Sequence, residues 1–236
     1  TEPGKIPWLR HGLVVVQFTL SVLLIISAIV VFNQVNYLHN KDLGFKKDQI
    51  MFFPMRGEKM QNNYEAFKNK LLESPGVTSV SVGYGFPGDI FGDGLMTVPL
   101  TKVQKKATQL MVDHDYIKTL GLQLVAGRDF SRKMKTDPDE AFIINETAVH
   151  ELGLGSPEKA LGQTLLWPTW SNPDSLKKAK VIGVVKDFHY KSLYDKVEPA
   201  VLQIYPQAYS RVAVKIKTAD LENTIAHVKN TWNTFT

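Results

Sequence analysis

Gly12–Phe32 reads GLVVVQFTLSVLLIISAIVVF. The stretch holds no Asp, Glu, Lys or Arg, and its polar members are Gln17, Thr19, Ser21 and Ser27. At about 1.5 Å per residue it spans roughly 31 Å, close to the bilayer hydrocarbon thickness of about 30 Å. A buried core helix of this length would show a polar face, and none is present. A signal-peptide core is shorter and ends in a small-residue cleavage site, whereas Asn33-Gln34-Val35-Asn36 follows here. The stretch therefore predicts a transmembrane helix. Asn33–Leu43 contains no Gly or Pro, so the helix is expected to continue as a stalk and stop at Gly44, an αL cap. On the other side, residues 1–11 read as linker, because Pro3, Gly4 and Pro7 oppose regular structure. Trp8 and Arg10 suit a membrane interface. Lys5 and Arg10 before the helix are outnumbered by Lys41, Lys46 and Lys47 after it. That balance leans against an outward-facing domain.

About 190 residues remain after the anchor, enough for one large domain or two small ones. The 236 residues carry a net charge of +5, and no basic block is longer than two residues, which gives nucleic-acid binding little support. There is no cysteine, so disulfides and thiolate metal sites are excluded.

Gln49–Met55 reads as a strand. Asn62–Ser74 reads as a helix, with Asn62 and Glu65 at capping-box spacing and Tyr64, Phe67, Leu71 and Leu72 on one apolar face. Val77–Val82 alternates like a half-buried strand. Strands are also expected at Leu95–Leu100, Ala107–Val112, within Gly121–Phe130, and at Ala141–Ile144, Thr164–Trp167, Lys180–Val185, Ala200–Tyr205 and Arg211–Lys217. Asn145 should cap a short helix that ends at Gly153. Leu221, Ile225, Val228 and Trp232 fit one face of a closing helix. The fold class is α+β: residues 46–85 and 200–236 form an α/β layer, and a β-rich lobe, 86–199, is inserted in it.

Motifs of enzymes are weak. Gly83-Tyr84-Gly85-Phe86-Pro87-Gly88 fits G-x-G-x-x-G, but Pro87 and the glycines up to Gly94 oppose the helix a dinucleotide site requires. The loop's Tyr84, Phe86, Ile90 and Phe91 form a candidate contact surface for a partner or apolar cargo. Asp113-His114-Asp115 has metal-ligand types, but neighbours on a strand point to opposite faces, and a strand-end turn is the simpler reading. Asp187-Phe188-His189-Tyr190 lacks a nucleophile and reads as a hydrogen-bonded turn. Arg128 near Asp129 fits a structural ion pair. No catalytic, metal or cofactor residues are assigned.

Five stretches resemble the permease subunits of MacB-type (FtsX-like) ABC transporters, particularly those of Bacteroidetes. They are Gly12–Phe45, LGLQLVAGRDF at Leu120–Phe130, FIINETAVHELGL at Phe142–Leu154, ALGQTL at Ala160–Leu165, and VIGVVKDFHYKSLYDKVEPAV at Val181–Val201. Their order and spacing agree along nearly the whole chain. The resemblance implies a transmembrane helix and stalk, 12–43, leading into a periplasmic core domain, 44–236, whose flanks are porter-like. It implies no enzyme activity and no cofactor. It implies location in a bacterial inner membrane, with residues after about 33 in the periplasm. The partners it implies are an ABC ATPase subunit, a second permease domain, a periplasmic adaptor protein and membrane lipid. It also implies that three further helices follow in a longer permease, of which this chain is a fragment. The alternative reading is a membrane-anchored extracytoplasmic sensor domain.

Overall fold

In the computed structural model, residues 7–40, 44, 50–89, 92–169, 172, 175–192, 195–217 and 220–235 are described. The chain divides into two units, Thr1–Asp42 and Leu43–Thr236.

The first unit is helix α1, Pro7–Asn40. Its 34 residues make a rod of about 51 Å, longer than a bilayer core is thick. Helix begins at Pro7, so residues 7–11 are not linker. A proline at the first helical position lacks only an N–H that would have had no partner there. The hydroxyls inside the apolar run turn back onto their own helix. Thr19 donates to the Val15 carbonyl at 2.8 Å, Ser21 to Gln17 at 2.9 Å and Ser27 to Leu23 at 2.8 Å. Lipid has no water to satisfy these groups, and back-bonding removes the need for it.

Among the described residues, the second unit contains ten strands. They are β1 (Ile50–Pro54), β2 (Val77–Tyr84), β3 (Gly92–Thr97), β4 (Gln104–Val112), β5 (Leu124–Gly127), β6 (Ala141–Asn145), β7 (Thr164–Pro168), β8 (Leu176–Val185), β9 (Ala200–Ile204) and β10 (Arg211–Ile216). The helices among them are α2 (Glu58–Asn62), α3 (Tyr64–Leu72), α4 (Tyr116–Leu120), α5 (Asp137–Glu140), α6 (Glu146–Glu151), α7 (Pro157–Ala160) and α8 (Leu221–Phe235).

Six strands close on themselves in the order β4-β3-β7-β8-β6-β9, because β9 also pairs with β4. Within this ring β4–β9 and β6–β8 are parallel and the other pairs antiparallel. All six strands supply side chains to one buried cluster that includes Met96, Ala107, Phe142, Trp167, Val181 and Val201. Closure leaves the ring without an open edge.

A second layer, β1-β10-β2, hangs on β4. β1 and β2 both run antiparallel to β10, which lies between them, so the expected strand–helix–strand unit is split by a third strand. α3 and α8 pack with this layer around Phe67, Leu71, Val80, Val82, Val212 and Val228. We call it the flank layer. β9 belongs to the ring rather than to this layer, which corrects the boundary expected at residue 200. The strand Ala200–Ile204 is buried throughout and pairs with β4 and β6.

Two local expectations also change. The helix read over Asn62–Ser74 is α3, and a separate short helix, α2, precedes it. Met60, fully buried, anchors an extra turn, and the chain breaks at Asn63, whose φ of −121° is not helical. No Asn62–Glu65 capping box forms, since α3 starts from Asn63 without a side-chain cap. β2 is buried on both faces rather than one. Val80 and Val82 join the flank core. Ser79 lies under α4, 2.6 Å from the Thr119 hydroxyl, so its alternate small polar residues are satisfied without solvent.

Candidate functional site

Gly44, near the start of the second unit, has a φ of +74°. A Cβ built there would sit 2.5 Å from the Asp187 carbonyl oxygen and 2.7 Å from Phe188 Cα. Both contacts are backbone, so no side chain fits, and only glycine adopts this φ without strain. Residue 44 is thus seated directly on the segment Asp187-Phe188-His189-Tyr190.

That segment is a hub. The Asp187 carboxylate accepts from the Thr147 backbone N–H at 2.9 Å and from its hydroxyl at 2.7 Å, at the first turn of α6. The Asp187 N–H donates to the Glu146 carboxylate at 3.1 Å. Instead of bonding within its own turn, as expected, Asp187 grips a helix N-terminus, where a negative charge is favoured. Phe188 and Tyr190 are buried with ring centroids 5.4 Å apart. The Tyr190 hydroxyl donates to the Glu198 carbonyl at 3.0 Å.

Asn145 lies beside this hub and is fully buried. Its side-chain oxygen accepts from Ala148 N at 3.0 Å, capping α6 as expected, and also from Ala200 N at 2.9 Å. Its amide donates to the Glu198 carbonyl at 3.0 Å. One side chain thus ties β6, α6 and β9 together.

The Gly127–Phe130 motif closes against the same strand. Gly127 and Gly183 are register partners between β5 and β8. Arg128 pairs with Asp137, not with the adjacent Asp129, through two hydrogen bonds of 2.8 and 2.7 Å, and Ser131 N adds a third at 2.9 Å. Burial would raise the Asp137 carboxyl, but these donors hold it below the usual range. A cleft of about 370 Å³ adjoins the pair, lined by Glu140, Thr164, Lys178 and Lys180 among others.

A charge cluster joins the flank layer to the ring. Lys68, on α3, is 2% exposed and donates to Asp113 and, at 2.7 Å, to Asp115. Arg132 donates to Asp115 at 2.8 Å and reaches Glu65 at 3.5 Å. Ser81 donates to Asp113 at 2.6 Å. Burial pushes the Asp113 carboxyl up, opposed by Lys68 and Ser81. Asp115 moves the other way, to about 2: burial resists, but Arg132 and Lys68 prevail. The two carboxylates are held by an ammonium group, in keeping with a strand-end structural role. Among the described residues no group of three His, Cys, Asp or Glu could hold a metal ion.

Asp129 is half-buried near three other carboxylates. Burial, together with the charges of Asp115, Asp113 and Asp137, raises its carboxyl to about 6, against the pull of the Phe130 N–H. A raised native pKa favours the protonated form, so this group's contribution to stability falls as pH climbs from about 4 to about 6. Asp129→Asn keeps an acceptor for Phe130 and should raise stability at pH 7.5 by about 1 kcal/mol, after allowance for solvent screening. Melting temperatures of both proteins from pH 4 to 8 should converge at the acid end.

Of the loop residues chosen from the sequence, Phe86 does not lie on the surface. Tyr84 ends β2 and is half-buried. Phe86 is 1% exposed, stacked on Tyr116 with centroids 5.1 Å apart and touching Phe52 at 5.5 Å. It is a core residue, because the positive φ of Gly85, +99°, turns the chain inward there. Ile90 and Phe91 lie outside the described residues. Among the described residues no helix opens after Gly88; Asp89 instead accepts from Phe86 N at 3.0 Å and pairs with Arg211 at 2.5 Å. Sequence reasoning missed the seating of Gly44 on Asp187 and Phe188 and missed Lys68 as a buried cation. The signal for Lys68 was its position four residues from both Tyr64 and Leu72, on the apolar face of its helix.

No protein-family model and no curated protein sequence matches the chain. Solved structures do. The periplasmic region of MacB from Actinobacillus actinomycetemcomitans is 18% identical, with a TM-score of 0.51 over 80% of this chain and 82% of that one. The extracellular domain of the noncanonic ABC-type transporter YknZ from Gram-positive bacteria is also 18% identical, with a TM-score of 0.53 over 78% of this chain and 92% of that one. The chain is an apolar helix followed by a mixed α+β, strand-rich domain with the fold of the extracytoplasmic region of MacB-type permeases.

Proposed function

We propose that this chain is the first transmembrane helix and periplasmic core domain of an ABC transporter permease. In this reading it is a non-catalytic coupler in the inner membrane. A partner ATPase subunit hydrolyses ATP in the cytoplasm, and the helix carries the resulting movement to the domain. The domain then moves against a second permease domain and a periplasmic adaptor, exporting cargo or doing mechanical work outside the membrane. The fold supports this reading, since its structural neighbours are extracytoplasmic regions of such transporters. The observation that carries it is that one chain holds a 34-residue apolar helix and a domain with the fold of those regions. Within the domain, Gly44 is seated on the backbone of Asp187 and Phe188, where no side chain fits. Tyr84, Ile90 and Phe91 stay in the proposal as a contact segment; buried Phe86 does not.

Two measurements test it. An alkaline phosphatase fused after residue 236 should be active, placing the domain outside the cytoplasm; activity of a cytoplasmic reporter at that point overturns the topology. Affinity isolation of the tagged protein from its native membranes should bring down an ABC ATPase, and recovery with a histidine kinase instead would favour a sensor. In the assembled transporter, Gly44→Ala should leave ATP hydrolysis running while extracytoplasmic work falls at least about tenfold, as expected when a coupling element slips.

A further inference from the structure

The flank layer and the ring meet along a narrow seam. The β2–β4 ladder that joins them has two register pairs, Gly83↔Val112 and Tyr84↔Met111. By contrast, β10 and β2 share six pairs and β4 and β9 five. At the seam the backbones touch: a Cβ on Gly83 would lie 2.7 Å from the Met111 carbonyl oxygen. Hydrogen bonds also cross the seam: the Tyr209 hydroxyl donates to the Val112 carbonyl at 2.9 Å, the Ser79 and Thr119 hydroxyls share one of 2.6 Å, and Asp113 N donates to the Val82 carbonyl at 3.1 Å. Two further kinds of contact join the sides. One is an apolar cluster shared by both sides, with Phe86 and Ala213 against Leu110, Val112 and Tyr116. The other is the ion set that runs from Lys68 and Glu65 on α3 to Asp113, Asp115 and Arg132 beyond the seam.

These two kinds of contact act differently. Apolar contact is non-directional, so it fixes the angle between the two sides less sharply than paired charges do. Buried ion pairs are directional, and separating them leaves desolvated charge behind. A short ladder, an apolar contact and a directional clamp are the components of a hinge with a catch. We infer that the flank layer and the ring are two lobes that pivot about Gly83-Tyr84 and Met111-Val112, and that the Lys68–Asp113–Asp115–Arg132 set is the latch holding the closed arrangement. Lys68 is the centre of the latch, since it is the cation that both carboxylates share.

Because the chain has no cysteine, paired spin labels can be placed cleanly in the full chain in detergent. Glu222→Cys with Lys178→Cys reports across the seam; Lys159→Cys with Lys178→Cys reports within the ring. Both parent pairs should give one narrow distance distribution. Introducing Lys68→Met, or Lys68→Met with Asp113→Asn so that no lone buried charge is left, should widen the cross-seam distribution at least about twofold. The within-ring distribution should not change. A cross-seam distribution as narrow as the parent's in the double substitution overturns the latch. Widening of both pairs together overturns the hinge, because the two lobes would then be one cooperative core.

Discussion

Asn145→Ala should cost the protein about 4 kcal/mol of stability, more than any surface change in the molecule. The substitution removes three hydrogen bonds at once, to Ala148 N, Ala200 N and the Glu198 carbonyl. Loss of the cap on α6 accounts for about 1 kcal/mol. The larger part comes from the groups left behind. Ala148 and Ala200 are fully buried, and each stranded N–H costs about 1–3 kcal/mol where water cannot reach it. Urea unfolding of the chain in detergent micelles, followed by tryptophan fluorescence, checks the value. Asn145→Asp is an informative companion. It keeps both acceptor bonds but loses the donor to Glu198 and buries a charge, so its native pKa rises. Its stability should therefore recover as pH falls toward 5, which Asn145→Ala should not do. Equal pH profiles for the two variants would mean that residue 145 is solvated and that the three-way tie is wrong.

Gly127→Ala should be the second severe change, and a control makes its cause measurable. Gly127 has φ +76°, and an added Cβ would collide with the Ile182 carbonyl oxygen and sit 2.9 Å from Gly183 Cα. Gly162 has nearly the same backbone angle, φ +78°, but nothing within 4 Å of the added atom. At Gly162 alanine meets only the left-handed conformational cost, about 1–2 kcal/mol. At Gly127 it meets that cost plus a collision with backbone that cannot rotate away. A loss of about 4 kcal/mol is expected, with β5 lifted from β8. The difference between the two melting curves isolates the collision. If the two variants melt together, β5 and β8 do not approach as closely as described.

The membrane helix was legible because one physical test, length without charge, decides it. Most strand positions were legible for a similar reason: apolar runs such as Ala141–Asn145 and Ala200–Ile204 are bounded by turn residues. Ring closure was not legible. It depends on β4 pairing with β9, Thr108 beside Ala200, and nothing local to either strand records its partner. The same limit misplaced Ala200–Ile204 in the flank layer. Phe86 was misread because a phenylalanine among glycines looks exposed, whereas Gly85 turns it onto Tyr116. Asn145 as a cap was readable from its place before α6; its bond to Ala200 was not. Lys68 and Arg132 drew no attention as single charges, since only the fold brings them to Asp115.

The way β1 finds its partner bears on how the protein is made. Ile50 pairs with Lys215 and Pro54 with Arg211, so the first strand to be synthesised waits for the last. β2 waits as well, because its main neighbour is also β10. Until residues 211–216 arrive, the side chains that will line the flank core stay uncovered. Loop closure over such a separation is slow and exposes strand edges meanwhile. The flank layer should therefore fold late, after residues 211–216 have been delivered. Its maturation should depend on holding chaperones on the side of the membrane where it emerges.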